Sequence, residues 1–462
     1  MCGVVAISNL NSASSKVVTS LFSLQHRGQN GAGIAAGENG AMKIHRGLGL
    51  VKEIFSPEET SKLKGNFAIG HVRYPTQGPV TIQNTQPHLV NVNNSPDVCL
   101  ASNGDIVNYS SERERLLGMG VSFEGTNDGE LLARIIAYEV SKGSSIPNAV
   151  KSVMESIRGA FSVVCMIGDK LVVFRDPWGI RPLSYGKTKD GSFIYSSETV
   201  GLDIHLISKQ KEVSPGSVHV LDKNGNLEIT QLVSKKEKHH CIFEMIYFAR
   251  PDAKQFGESV YEFRKEIGVA LAKDDKDLDV DVVFPVPDSS NVIALGYSEF
   301  SNVDFGFGLM RNHYVGRTFI APDQVIRDEK VKEKFNPVPG FFKNKKVVLI
   351  DDSIVRGSTL KKLISMIKKA GAKEIHIRIG SPPVAFPCYY GIDTPTKEEL
   401  IINNVKLENL AGYFGADSLR YLDLGDLKKL PNSESDFCDA CFSGDYPLGI
   451  KEKIIPVSEI SD

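Results

Sequence analysis

The sequence predicts an α/β fold spread over two or three domains. Three observations carry that expectation. The chain has 462 residues, more than one hydrophobic core usually serves. Residues 346–367 run as an apolar strand (Val347 to Ile350), two carboxylates, a short loop with Gly357, and a helix with Leu360, Ile364, Met366 and Ile367 as its apolar face. Segments 160–167, 170–174, 193–196 and 217–221 are strand-rich.

Composition narrows the class. Hydrophobic residues make up 41% and charged residues 24%, an ordinary globular balance. A formal net charge of −2 gives no bulk attraction for nucleic acid. The sequence holds no apolar run long enough to span a bilayer, and its start lacks the basic-then-apolar order of a secretory signal. Seven cysteines in so long a chain do not form a disulfide scaffold, so a reducing, cytoplasmic setting is expected.

The strand-loop-helix at 346–367 is laid out as a phosphate cradle. Backbone amides at a helix N-terminus point at an anion, and Ser358 and Thr359 add hydroxyl donors. Gly357 lets the backbone approach closely. Asp351 and Asp352 repel phosphate and suit ribose hydroxyls or magnesium, which prefers oxygen ligands. The wording Val-Leu-Ile-Asp-Asp-Ser-Ile-Val-Arg-Gly-Ser-Thr resembles the phosphoribosyl-pyrophosphate (PRPP) signature of type I phosphoribosyltransferases, and within them the glutamine PRPP amidotransferases. That resemblance implies PRPP contacts from Asp351, Asp352, Ser353, Arg356, Gly357, Ser358 and Thr359.

At the other end, Cys2 opens a strand pattern through Ile7. Removal of Met1 would give Cys2 a free α-amine, which titrates near pH ~8 and can serve as base for its own thiol. The motifs that follow are Leu24-Gln-His-Arg-Gly-Gln29, Gly70-His-Val-Arg-Tyr-Pro-Thr76, Ser102-Asn-Gly-Asp105 and Thr126-Asn-Asp-Gly-Glu130. Singly each has a plain alternative: Arg73 a surface ion pair, Asn103-Gly104 a turn, Asp128 a helix cap. In this order behind Cys2 they resemble the class II glutamine amidotransferases, which are N-terminal-nucleophile hydrolases with an α/β/β/α sandwich. The resemblance implies Cys2 as nucleophile, Asn103 and the Gly104 amide as oxyanion hole, Arg73 on the glutamine carboxylate and Asp128 on its ammonium. One departure stands out: Asn30-Gly31 replace the usual acidic and hydroxyl residues after Arg-Gly-Gln, which puts the hydrogen bonding around Arg27 in question.

The charged run 234–240 marks a boundary, giving a glutaminase domain at 2–233 and a phosphoribosyltransferase domain with a C-terminal tail at 241–462. In the second domain Asp281-Val-Val-Phe-Pro-Val-Pro-Asp-Ser-Ser290 is another strand ending in a polar turn. Ligands gather at such carboxyl ends in a doubly wound sheet. The resemblance implies magnesium at Ser289, Asp351 and Asp352, and a loop from Asn312 through Arg327 that closes over PRPP.

Cys438-Asp-Ala-Cys441, with Cys241 and Cys388, forms a set of four thiols that suits structural zinc or an iron–sulfur cluster. Spacing leaves both open. The resemblance implies a 4Fe-4S cluster, as in one branch of the family, where the Cys-x-x-Cys precedes a stretch like Phe442-Ser-Gly-Asp-Tyr-Pro447. Cys99 and Cys165 lie in apolar strand patterns and are expected in the core.

The expected function is glutamine-dependent synthesis of 5-phosphoribosylamine from PRPP, the first committed step of purine nucleotide synthesis. The family also implies purine nucleotides as feedback inhibitors and a dimer or tetramer. Two rivals keep the Cys2 domain and change the acceptor, as in glucosamine-6-phosphate synthase or asparagine synthetase, but the PRPP segment disfavours both and no Ser-Gly-Gly-Leu-Asp-Ser-type loop occurs. A regulatory nucleotide-binding protein without catalysis would not need Cys2, Arg73 and Asn103, all of which are present.

Overall fold

In the first half, the Gly3–Ile7 strand pairs antiparallel with two neighbours, Phe193–Ser196 and Phe67–Arg73, at the centre of a seven-stranded sheet. A six-stranded antiparallel sheet, in which Val98–Ile106 pairs with Gly159–Ile167, faces it. Strand side chains alternate between faces, so each sheet offers two surfaces for burial. Val4, Ala6, Ile69, Cys99, Ala101, Val164 and Val173 fill the space between the sheets. The opposite faces carry helices. Val5, Ile7 and Val72 pack with Val17 and Leu21 of Ala13–Ser23. Leu100, Val163 and Cys165 pack with Leu131, Leu132 and Ile135 of Asp128–Ser141. The result is an α/β/β/α sandwich. The computed structural model describes residues 1–8, 12–91, 96–314, 333–394, 396–430 and 436–449.

The second half is built on a five-stranded sheet ordered Asp304–Phe305, Val282–Pro285, Lys346–Asp351, Glu374–Ile379, Ser418–Tyr421, parallel throughout. Alternation splits its strands between two cores. Val282, Phe284, Val347 and Leu349 face the helix Ser358–Lys369. Val283, Val348 and Ile350 face Ile267, Ile293 and Ala294 of the helices Val260–Lys273 and Asn291–Ser301. Helices on both faces of a parallel sheet make this a doubly wound domain. The helix Ser358–Lys369 departs from the sequence expectation at one position. Leu363 is buried with Leu360, Ile364 and Ile367, whereas Met366 is only half-buried. Leu363 and Leu360, Ile364 and Ile367 lie three or four residues apart and so share a face, which places Met366 at its margin.

The two halves share one core. The cluster that holds Val5 and Val72 continues through Ile242, Met245 and Ile246 to Val348 and Ile350. Among the described residues no helix is long and apolar enough to cross a membrane.

Candidate active sites

Antiparallel pairing brings the first site together. Gly3 on the first strand lies opposite Val72, which places Cys2 beside the end of the Phe67–Arg73 strand. The Cys2 Sγ sits 3.3 Å from the Tyr74 carbonyl oxygen. The Cys2 nitrogen donates to Asn103 Oδ1 at 3.1 Å. Asn103 is fully buried, and its Nδ2 has no hydrogen-bond partner among the described residues. An orphaned amide donor in a buried site is costly, and a ligand oxygen would satisfy it. Gly104 follows on the same strand, where an added Cβ would fall 1.7 Å from the Ala160 carbonyl oxygen. Met1 is buried, with Arg181 Nη1 2.5 Å from its sulfur. A free amine on Cys2 therefore requires Met1 to leave a packed position.

Arg73 and Asp128 flank this site with opposite charges. Arg73 is buried and donates to the carbonyls of Gln77, Gly78 and Pro79 at 3.0–3.1 Å. Its Nε has no partner among the described residues. Burial lowers its pKa, while Cys2 and Asp128 oppose that shift. Asp128 opens the helix Asp128–Ser141, where Asn127 caps by accepting from the Gly129 amide. Burial, then the nearby Cys2, pushes the Asp128 carboxyl up to about 7. Among the described residues no side chain forms an ion pair with either Arg73 or Asp128. A buried cation and a buried carboxyl without ion partners fit a zwitterion that brings both complementary charges.

Arg27, left uncertain by the Asn30-Gly31 departure, is held by other residues. Its Nε donates to the Cys2 carbonyl at 2.8 Å. Its Nη1 reaches Glu198 at 2.5 Å, and its Nη2 reaches Glu244 at 2.7 Å. All three side chains are fully buried. Burial opposes ionisation, but the two carboxylates outweigh it and raise the Arg27 pKa, while His26 and Arg27 hold Glu198 below the usual carboxylate range. Removing one partner of a buried pair of this kind typically costs about 3–5 kcal/mol.

Parallel pairing assembles the second site. Pro285 lies opposite Ile350, so the turn at 286–290 meets Asp351 and Asp352. Ser289 Oγ donates to Asp352 Oδ2 at 2.5 Å, Ser290 Oγ to Asp351 Oδ1 at 3.2 Å, and Ser353 Oγ to Asp352 Oδ1 at 2.6 Å. Burial raises both aspartate pKa values, and for Asp351 the charge of Asp352 adds to the effect. Two crowded carboxyls among hydroxyls gain from a hard cation, so the donor set fits magnesium. Gly357 caps the helix Ser358–Lys369 in a left-handed conformation, φ 74°, which favours glycine. Arg356 pairs with Glu399 at 3.3 Å. The expected closing loop lies outside the described residues beyond Tyr314.

The four outlying cysteines are brought together. His240–Cys241 pairs parallel with Phe437–Cys438, placing Cys241 opposite Cys438. The Cys441 carbonyl accepts from the Ala385 and Phe386 amides at 3.0 and 3.1 Å, which draws in Cys388. Burial pushes the Cys241 thiol up to about 11, and it raises Cys438 and Cys441 as well; the neighbouring thiols add to each shift. Clustered buried thiols with raised pKa values, opposed only by the nearby Arg181, suit a bound metal centre that would stabilise their thiolates. Among the described residues no group of three or more His, Cys, Asp and Glu is arranged round a single metal ion. Cys99, between the sheets, and Cys165, against the Asp128–Ser141 helix, are fully buried.

Glu198, Glu244, Arg181 and Gly391 are additions to what the motifs suggested. Arg181 Nε donates to the Tyr390 carbonyl at 2.6 Å, and its Nη1 lies 3.5 Å from Glu244. A Cβ on Gly391 would fall 2.9 Å from the Gly104 carbonyl carbon. Sequence offers one signal for them, ionisable or glycine residues inside otherwise apolar segments.

A cysteine beside a buried, unpartnered amide and a pair of opposite charges, joined to a parallel sheet with a carboxylate turn, defines a glutamine amidotransferase coupled to a phosphoribosyl site. A family model described as a glutamine amidotransferase domain matches residues 71–203. The chain is 44% identical over 449 residues to amidophosphoribosyltransferase 1, chloroplastic, of Arabidopsis thaliana, covering 97% of this chain and 78% of that protein. It is 40% identical over 457 residues to the amidophosphoribosyltransferase of Methanothermobacter thermautotrophicus, covering 98% and 96%. The solved glutamine PRPP amidotransferase of B. subtilis, complexed with ADP and GMP, superposes with a TM-score of 0.90 at 38% identity, covering 99% of this chain and 100% of that one. The chain belongs to the amidophosphoribosyltransferase family.

Proposed function

We infer that this chain catalyses the first committed step of purine nucleotide synthesis. It makes 5-phosphoribosylamine, glutamate and pyrophosphate from PRPP, glutamine and water. Full-length family membership supports this activity. The observation that carries the mechanism is the unpartnered Asn103 amide beside Cys2, flanked by Arg73 and Asp128.

Cys2, freed of Met1, attacks the side-chain amide of glutamine, its α-amine acting as the base. Asn103 Nδ2 and the Gly104 amide stabilise the developing oxyanion. Arg73 grips the substrate carboxylate and Asp128 its ammonium. Ammonia departs and a thioester forms on Cys2, which water hydrolyses to glutamate. At the second site Asp351, Asp352 and Ser289 would hold magnesium, which would supply positive charge for the leaving pyrophosphate. Ser353, Arg356, Gly357, Ser358 and Thr359 cradle the phosphoribosyl group at the helix N-terminus. Ammonia displaces pyrophosphate at the ribose C1 with inversion.

Cys241, Cys388, Cys438 and Cys441 would hold a 4Fe-4S cluster, which supplies structural cross-linking between the tail and the domain junction. A domain boundary within 234–240, marked by the charged run, and a reducing, cytoplasmic setting, suited to seven cysteines in so long a chain, belong to the same reading. Purine nucleotides as feedback inhibitors and a homo-oligomer complete the proposal. The test is glutamate and pyrophosphate release by the purified protein with glutamine, PRPP and magnesium. Glutaminase activity should depend on PRPP; equal rates with and without it would remove the coupling of the two sites.

A further inference from the structure

The glutaminase machinery is braced from the second half of the chain at two points. Arg27 Nε fixes the Cys2 carbonyl at 2.8 Å, and Arg27 is itself fixed by Glu244 at 2.7 and 3.0 Å. Glu244 lies three residues after Cys241. At the other point the backbone of Gly391 rests against Gly104. Gly391 has φ 106°, and a Cβ there would lie 2.9–3.1 Å from the Gly104 backbone. Gly391 lies three residues after Cys388. Arg181 ties the two supports together, reaching Glu244 at 3.5 Å, the Tyr390 carbonyl at 2.6 Å and the Cys388 sulfur at 4.0 Å.

We propose that Glu244 and Gly391 are positioning residues for glutamine hydrolysis, supplied to the first half by the second. Glu244 acts through Arg27 on the backbone of the nucleophile. Gly391 acts through Gly104 on the oxyanion donor. Neither touches glutamine. The proposal rests on the reading of Cys2 as the nucleophile. Geometry errors of this order weaken an attack that needs reacting atoms held in line, while leaving the substrate's charge clamps intact.

The experiment compares Glu244→Gln and Gly391→Ala with the wild-type chain, using glutamine and, separately, ammonium chloride as nitrogen source. Glu244→Gln removes one of the two carboxylate charges on Arg27 and turns one acceptor into a donor facing it. Gly391→Ala forces a methyl towards Gly104. The expected result is at least a tenfold fall in the ratio of glutamine-supported to ammonia-supported kcat, with the KM for glutamine within twofold of wild type. A merely structural role lowers both rates together and leaves the ratio unchanged. A ratio within twofold of wild type in either variant overturns the proposal, as does a rise in KM with no fall in kcat. Cys2→Ala is run alongside: if it keeps glutamine-supported turnover, the reading of the nucleophile fails, whatever the ratio does in the two variants.

Discussion

Asn103→Ala removes the buried amide that awaits an acceptor. The side chain is fully buried, its Nδ2 is unpartnered and its Oδ1 takes the Cys2 nitrogen at 3.1 Å. Two consequences can be worked separately. Loss of one oxyanion donor costs about 2.7–4 kcal/mol in the transition state, a fall of about 10²–10³ in kcat. Loss of the acceptor leaves the Cys2 nitrogen unsatisfied, worth about 1–3 kcal/mol of stability. Arg73 and Asp128 are untouched, so the KM for glutamine should stay near its wild-type value. The assay is glutamate release at saturating PRPP, normalised to ammonia-supported product so that unfolded protein does not count. A fall of less than about tenfold in that normalised rate would refute the assignment of Asn103.

Asp128 gives a pH dependence. Its carboxyl is pushed up to about 7, first by burial and then by Cys2, yet it must be ionised to hold an ammonium. Below that pH the free site carries a proton that glutamine must expel, so the KM for glutamine should rise about tenfold per pH unit and level off above it. Asp128→Asn should raise KM and flatten the acid limb; a limb unchanged in that variant assigns it elsewhere. Asp352→Asn should lower glutamine- and ammonia-supported rates together by about 10²-fold, because metal charge stabilisation is worth several kcal/mol. Selective loss of only one of the two would contradict a shared phosphoribosyl site. Cys438→Ser, purified without oxygen, should lose bound iron and visible absorbance; iron content equal to wild type would exclude that thiol as a ligand.

The sites were legible where chemistry sits on consecutive residues. Asn103-Gly104 and Asp351-Asp352 lie at or near strand ends; parallel pairing delivers the aspartates to the 286–290 turn, and the facing of the two sheets delivers Asn103 to Cys2. The α/β/β/α sandwich was legible only through resemblance, since alternation alone does not say which sheet faces which. The braces were not legible. Arg27 meets Glu198 and Glu244 across 171 and 217 residues, and no local period marks such a contact. The Asn30-Gly31 departure pointed at Arg27 for the wrong reason, because its partners come from distant segments rather than from the residues that follow it. Met366 was misplaced on its helix because Leu363, in register with Ile367 and Leu360, takes the buried position.

Cys2→Ala tests the account most directly, by measuring 5-phosphoribosylamine formed from glutamine and from ammonium salt by one preparation. Product from ammonia with none from glutamine is the predicted outcome. Product from glutamine at an undiminished rate would contradict it.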